Sequence, residues 1–336
     1  MSTALKRSFA TLAAGSLALA VVGCSSGGGG ESGTATVRWA QPTPESMAYF
    51  PYIVADELGY FADEGVEVEL APTSEDLSTA ALVSSGSVDI GAASAGEIFF
   101  ALQTDPELTV VYDAASLSPE GIVVPADSSA TSVADLEGAT IGIASDEERS
   151  LVAAALEAEG MSLDDVSVVA VGGGGQVIAN ELDGGQFDAF AGSVLDFAAV
   201  QAVGYELRQI TPEAIATTPS GAYVISADAE EDVIERFLRA MTRATAYGLE
   251  NPDELESILR ERVPEEWENE DVARALFDFG LEVWTPREGG QYGTLDPEVW
   301  QTAQDRLIAA GELEEEIDLD RLLDDQFIES ANDAID

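Results

Sequence analysis

Tyr49-Phe-Pro-Tyr-Ile-Val-Ala-Asp-Glu-Leu-Gly-Tyr-Phe-Ala-Asp-Glu-Gly-Val-Glu-Val-Glu-Leu-Ala71 reads as a helix that ends in Gly59-Tyr60-Phe61, turns at Gly65 and passes into a strand. In that strand Val66, Val68 and Leu70 alternate with Glu67 and Glu69, the period of a half-buried β-strand. A strand-like run, Thr36 to Gln41, comes before the helix, so the whole is a strand, helix, strand unit. Its first loop holds Trp39, Gln41, Tyr49 and Phe50, and these are expected to form one wall of a ligand cleft.

Working outward, strand and helix signals alternate for most of the next 150 residues. Val88 to Ala93 reads as a short buried strand, and Ser94 with Glu97 three residues on has capping-box spacing for the helix that follows. Leu108 to Ala114 and Gly121 to Pro125 are further strands. From Ser132 a second unit repeats the pattern: strand 139–144, helix 147–159, strand 166–171, helix 176–182, strand 187–191 and a helix from Val194. Gly221 to Ser226 is one more strand, and from Asp228 the pattern is helical. Strands spaced by helices predict an α/β chain with two parallel-rich sheets, flanking helices and a helical C-terminal tail. The expected division is residues 35–122 plus 221–336 in one lobe and 123–220 in the other, with two chain crossings that make a hinge. Ligands of parallel sheets sit beyond the carboxyl ends of the strands, which selects loops 39–49, 93–97, 145–149, 172–176 and 192–196.

Composition narrows the chemistry. The chain has 336 residues, no histidine, one cysteine and a formal charge of −50. Without histidine there is no Ser-His-Asp or Cys-His pair, and the commonest transition-metal ligand is missing. No metal and no cofactor are expected. Lys6 and Arg7, an apolar run from Phe9 to Ala20, and Val21-Val22-Gly23-Cys24 read as a lipoprotein signal over residues 1–23, with lipid on Cys24 and a Gly/Ser tether over 24–34. An ordinary secretory signal is the alternative. All 64 acidic residues lie beyond Cys24, and so large a negative charge opposes nucleic-acid binding. It also suggests a saline outer medium, where screening relieves self-repulsion.

Several motifs then fall in one order: Pro51 to Ala55, Gly59-Tyr60-Phe61, Glu64 to Glu69, Gly86 to Gly91, Asp135 to Gly142, Gly184 to Ala189, and Trp300 to Gly311. Together they resemble the solute-binding proteins of ABC importers, in the subgroup that takes nitrate, sulfonates, taurine or pyrimidine precursors of thiamine. The resemblance implies a two-lobed periplasmic-binding-protein fold of type II and a monomeric receptor. Such a receptor closes on its ligand and delivers it to a permease with its ATPase, held outside the membrane by lipid at Cys24. A surface sensor and an enzyme on the same fold are the other readings. The family's enzymes depend on histidine, so no catalysis is expected.

The ligand reading has two arms. For an anion, two arginines lie between Trp39 and Glu235, Arg149 and Arg208; Arg149, in the first turn after Ser145, can reach into the cleft or face solvent on the helix surface. For a flat, nitrogen-rich ring, Trp39, Tyr49 and Phe50 can stack and the Glu97 carboxylate can accept from an amino group. Trp39 matches the tryptophan at this strand end in the thiamine-precursor branch, whereas Tyr49 stands near that branch's histidine. Each aromatic is equally suited to the core, and Glu97 to a cap. Gly174 with Gln176 forms a candidate backbone nest, being neither a P-loop nor a dinucleotide fingerprint. Ser94, Ser145 and Asp196 are either helix caps or ligand contacts. The flat-ring arm is the one adopted.

Overall fold

A computed structural model describes residues 34–72, 77–104, 107–144, 147–172, 174–287, 290–309 and 311–335. The signal segment, the tether, Cys24 and Ser145 lie outside the described residues.

The strands are β1 (Ala35–Ala40), β2 (Val66–Leu70), β3 (Ile90–Ala93), β4 (Leu108–Asp113), β5 (Glu120–Pro125), β6 (Thr140–Ile143), β7 (Ser167–Ala170), β8 (Ala189–Ser193), β9 (Leu207–Gln209) and β10 (Ala222–Ser226). They form two five-stranded sheets, ordered β2-β1-β3-β10-β4 and β7-β6-β8-β5-β9. The two orders match position for position, so the chain builds the same arrangement twice.

Both sheets are mixed but parallel-rich, the sequence expectation, with one strand in each running against the other four. β10 runs antiparallel to β3 and β4, and β5 antiparallel to β8 and β9. The reason is the route of the chain. A parallel neighbour requires a crossover that returns the chain to the same end of the sheet. β5 and β10 are instead entered directly from the other sheet, without a crossover helix. Each starts at the end where its neighbours finish. The same route makes the carboxyl ends of β4 and β9 the points of departure, so the two sheets face each other across segments 114–119 and 210–221.

Those segments pair with each other. Ser118 N–H donates to Ala216 O at 2.7 Å and Thr218 N–H to Ser116 O at 3.1 Å, around an antiparallel bridge between Leu117 and Thr217. Each segment also closes a helix on the far side. The Pro219 carbonyl accepts from Ala95 N–H, the first residue of helix Ala95–Leu102, at 2.9 Å, and the Pro119 carbonyl accepts from Val194 N–H, the first of helix Val194–Ala202, at 2.7 Å. An orphan helix donor in each half is thereby satisfied by the connection between the halves.

Local chemistry explains the opening unit. Ser46 caps a short 3-10 turn and Pro51 starts helix Phe50–Glu57, which stops at Gly59 because that residue takes φ +75°. A second short helix, Tyr60–Asp63, follows and buries Tyr60 and Phe61. One face of the first sheet packs under helices Phe50–Glu57 and Glu231–Glu250, with Trp39, Phe61, Tyr223 and Phe237 fully or nearly buried. The other face holds Ile98, Phe99 and Trp300. The helical tail thus packs mainly on the first sheet, while its helix Glu270–Trp284 also lies against helix Val194–Ala202 of the second. It also fixes the first loop: Arg262 pairs with Glu45 and Asp56, both at 2.8 Å, Met47 N–H donates to Glu266 Oε2 at 2.9 Å, and Trp284 Nε1 donates to Ala48 O at 3.0 Å. Among the described residues no helix is long and apolar enough to cross a membrane.

Candidate functional site

The carboxyl ends of both sheets meet at the connecting segments, and the residues expected in the cleft divide there into two groups. Trp39, Gln41 and Phe50 belong to the core, which corrects their expected place on a ligand wall. Trp39 and Gln41 are 0% exposed; Trp39 Nε1 donates to Gln41 Oε1 at 3.1 Å, and Gln41 Nε2 donates to Pro44 O at 2.9 Å. The indole is boxed by Tyr223 and Phe237, with ring centroids 5.0 and 5.2 Å away. Phe50 packs edge-on against Trp284. Position i of a strand and the first turn of a helix point these rings into the sheet–helix interface, where apolar area is removed from water.

Tyr49, Ser94 and Glu97 are each half-buried. Ser94 Oγ accepts from Glu97 N–H at 3.3 Å, as the capping spacing predicts. The reciprocal half is absent: Glu97 Oε1 turns to the neighbouring helix Thr79–Ser84 and accepts from Thr79 N–H at 3.0 Å. Burial, and then the charge of Glu97, push the Tyr49 hydroxyl up to about 12. It therefore stays a neutral phenol beside the carboxylate.

On the second sheet Asp196 completes a capping box. Its Oδ2 accepts from Ser193 N–H at 2.9 Å and from Ser193 Oγ at 2.8 Å. Gly174, at φ +94°, opens helix Gly175–Asp183, and Gln176 is exposed with its amide donating to Asn180 Oδ1 at 3.1 Å. Arg149 is exposed in the first turn of helix Glu147–Ala158. Arg208 donates to the carbonyls of Ser128 and Ala130, both at 2.8 Å, and holds a turn.

Beside the connecting segments lies a cavity of about 890 Å³ that the sequence reading did not identify. Its wall includes Tyr112, Asp113, Thr217, Trp284, Arg287 and Tyr292. Asp113 is the last residue of β4 and is 6% exposed. Ser116 Oγ donates to its Oδ2 at 2.9 Å, while Oδ1 is buried without a hydrogen-bond partner among the described residues. Burial pushes the carboxyl up to about 7, against the opposing pull of the Ser116 hydroxyl, the Arg287 charge and the nearby Ala115 N–H. A signal was available: Leu108-Thr-Val-Val-Tyr-Asp113 is an apolar strand closed by a carboxylate at the end where such sheets bind ligands. Among the described residues no cluster of three or more His, Cys, Asp or Glu side chains is arranged to hold a metal ion.

The family model described as NMT1/THI5 like matches residues 46–255. The riboflavin-binding protein RibY of Chloroflexus aurantiacus is 26% identical over 322 residues, covering 86% of this chain and 88% of its own. A formylaminopyrimidine-binding protein of Halalkalibacterium halodurans is 22% identical over 272 residues, 77% of this chain and 80% of its own. Among solved structures, the putative sulfonate ABC transporter periplasmic sulfonate-binding protein SsuA of Methylobacillus flagellatus has a TM-score of 0.64 and 19% identity, over 89% of this chain and 94% of that one. That likeness agrees with the matched sheets in identifying the periplasmic-binding-protein fold. From the model match over most of its length, the chain belongs to the NMT1/THI5-like family.

Proposed function

We propose that this protein is an extracytoplasmic solute receptor for an ABC importer, anchored by lipid at Cys24, which binds a small, flat, nitrogen-rich molecule between its two sheets. One observation carries the receptor reading: two sheets of matching order are connected along the chain by two short segments that pair with each other at Leu117 and Thr217. Such a ribbon lets residues 35–122 plus 221–336 rotate as a lobe against 123–220 and close on a ligand, and a permease with its ATPase then receives the closed form.

For the ligand, the first-sheet side offers the Glu97 carboxylate next to a neutral Tyr49 phenol, an acceptor and a donor suited to a ring bearing amino and carbonyl groups. Ser94, Arg149, Gly174, Gln176 and Asp196 are proposed contacts around them. Two relatives are named for riboflavin and for formylaminopyrimidine, and both of those molecules are flat and rich in nitrogen. A sulfonate or nitrate receptor is the competing reading, supported by the fold neighbour named for sulfonate. Against it, Arg208 is engaged with backbone carbonyls.

The test is native mass spectrometry of the gently purified full chain, followed by thermal-shift titration with riboflavin, aminopyrimidines, taurine, alkanesulfonates and nitrate. A ligand at a hundredfold excess over Kd stabilises by about 2.7 kcal/mol. Shifts with ring compounds alone are expected; shifts with anions alone select the competing reading, and turnover of a bound compound overturns the receptor.

A further inference from the structure

We propose that the cavity beside the connecting segments is a ligand-anchoring site, in which Asp113 accepts N–H groups from the edge of a flat nitrogen heterocycle. The inference rests on the receptor reading for its biological role, though binding at Asp113 can be measured without it.

A buried carboxyl oxygen with no partner is uncommon in a folded protein, because the lost hydrogen bonds to water are not replaced. Asp113 Oδ1 is such an atom, and it belongs to a residue at the wall of a cavity of about 890 Å³. That volume falls within the range of ordinary small-molecule sites and admits one to three fused rings. Oδ1 is closed to solvent in this arrangement, so the carboxyl turns toward the cavity to meet a ring with adjacent N–H donors, which would supply the missing hydrogen bonds.

The lining selects the class of ligand. Among the described residues Glu213, Glu282 and Asp296 share the wall with Asp113, against one cation, Arg287, which pairs with Asp296 at 2.9 Å. An anion entering there would meet like charge, whereas a cation or a neutral donor would not. Tyr292, half-buried, adds ring surface for stacking, while Tyr112 and Trp284 back the wall from the core. The backbone fixes the wall: the Gly293 carbonyl accepts from Asp113 N–H across the sheet edge, and the missing side chain of Gly293 lets it lie against the Tyr112 ring.

Position ties the site to movement. Asp113 stands where the chain leaves the first sheet, and the same wall includes Thr217 of the returning segment. A molecule bound there touches both strands of the ribbon, so its occupancy favours one angle between the sheets over others. Glu97 stands apart from this wall and is partly used by Thr79.

Isothermal titration of the full chain in detergent, with riboflavin and with 4-amino-2-methylpyrimidine, tests the assignment in wild type, Asp113→Asn and Glu97→Gln. At least one probe is expected to bind wild type, with Asp113→Asn weakening it tenfold or more while the melting temperature of the unliganded variant does not fall. A residue with only a structural role would lower that temperature and leave affinity unchanged. Tyr292→Ala is a second variant, expected to weaken the same probe. Equal binding by wild type and Asp113→Asn overturns the anchor but leaves the receptor standing, as does loss confined to Glu97→Gln. Binding of neither probe overturns the anchor; binding of taurine or nitrate instead would overturn it while keeping a receptor of another ligand class.

Discussion

Gly293 and Tyr112 approach so closely that a Cβ on the glycine would lie 2.2 Å from the tyrosine ring. The glycine also holds φ +79°, and its carbonyl accepts from Asp113 N–H at 3.0 Å. The tail segment after helix Glu270–Trp284 is thereby stitched to the open edge of the first sheet, beside the cavity. Gly293→Ala combines backbone strain with a clash against a ring stacked on Tyr223 and bonded through its hydroxyl to Thr242. A loss of about 2–4 kcal/mol in urea unfolding is expected. Gly59→Ala is the comparison, since φ +75° is strained but nothing lies within 4 Å of its Cβ; a loss of about 1 kcal/mol is expected there. Equal losses at the two positions would refute the role given to the Tyr112 contact.

Gln41 divides structural from ligand-facing roles in the first loop. Its amide joins Trp39 Nε1 to the Pro44 carbonyl with no exposed surface. Gln41→Ala leaves both partners unsatisfied, and destabilisation of about 1–3 kcal/mol is expected. Ligand affinity should change less than twofold. A large fall in affinity at unchanged melting temperature would return Gln41 to the ligand wall.

The sequence made the alternation of elements legible because period-two strands and capped helices are local properties, as at Val66 to Leu70 and Ser94 to Glu97. Chain direction was not legible for β5 and β10. Nothing within Gly121 to Pro125 records that the strand is entered from another sheet. The site was read least well, for a related reason. Trp39 and Phe50 are as suitable for a core as for a stacking surface, and only the position of helix Glu231–Glu250 decides between them. Glu97 faces Thr79, a partner 18 residues away that capping rules do not include. Asp113 could have been suspected from its strand end, but its unpartnered oxygen depends on Ser116, Gly293 and the tail together.

Asp113 also predicts a pH dependence of stability. Its folded pKa is raised from 3.8 to about 7 by burial. The folded chain therefore keeps a proton that the unfolded chain releases near pH 4. The folded state gains from that proton below pH 4, and the gain is lost as pH rises to 7 and beyond. Asp113→Asn cannot titrate, so its stability should fall less than that of wild type between pH 4 and pH 8, by roughly 2–4 kcal/mol for a shift of this size. Glu213, Glu282, Asp296 and Arg287 around the cavity are common to both proteins and largely cancel in the difference. Urea titrations of both at the two pH values measure it, and parallel pH profiles would rule out a raised Asp113.

Charge sets the last expectation. A formal charge of −50 opposes compaction, and the ion pairs are too few and too exposed to balance it. Arg262 holds Glu45, Asp56 and Glu57, and Arg260 holds Glu256 and Glu270, yet exposed pairs contribute about 0–1 kcal/mol each. Salt weakens those pairs and the repulsion together, and with so many more acids than arginines the repulsion is the larger quantity. Stability is therefore expected to increase from about 0.05 M to 2 M NaCl, most steeply below about 0.5 M, where the Debye length contracts fastest. Thermal unfolding across that series is the measurement. Equal melting temperatures would show that the acidic surface carries no net folding penalty, and the inference of a saline medium would go with it.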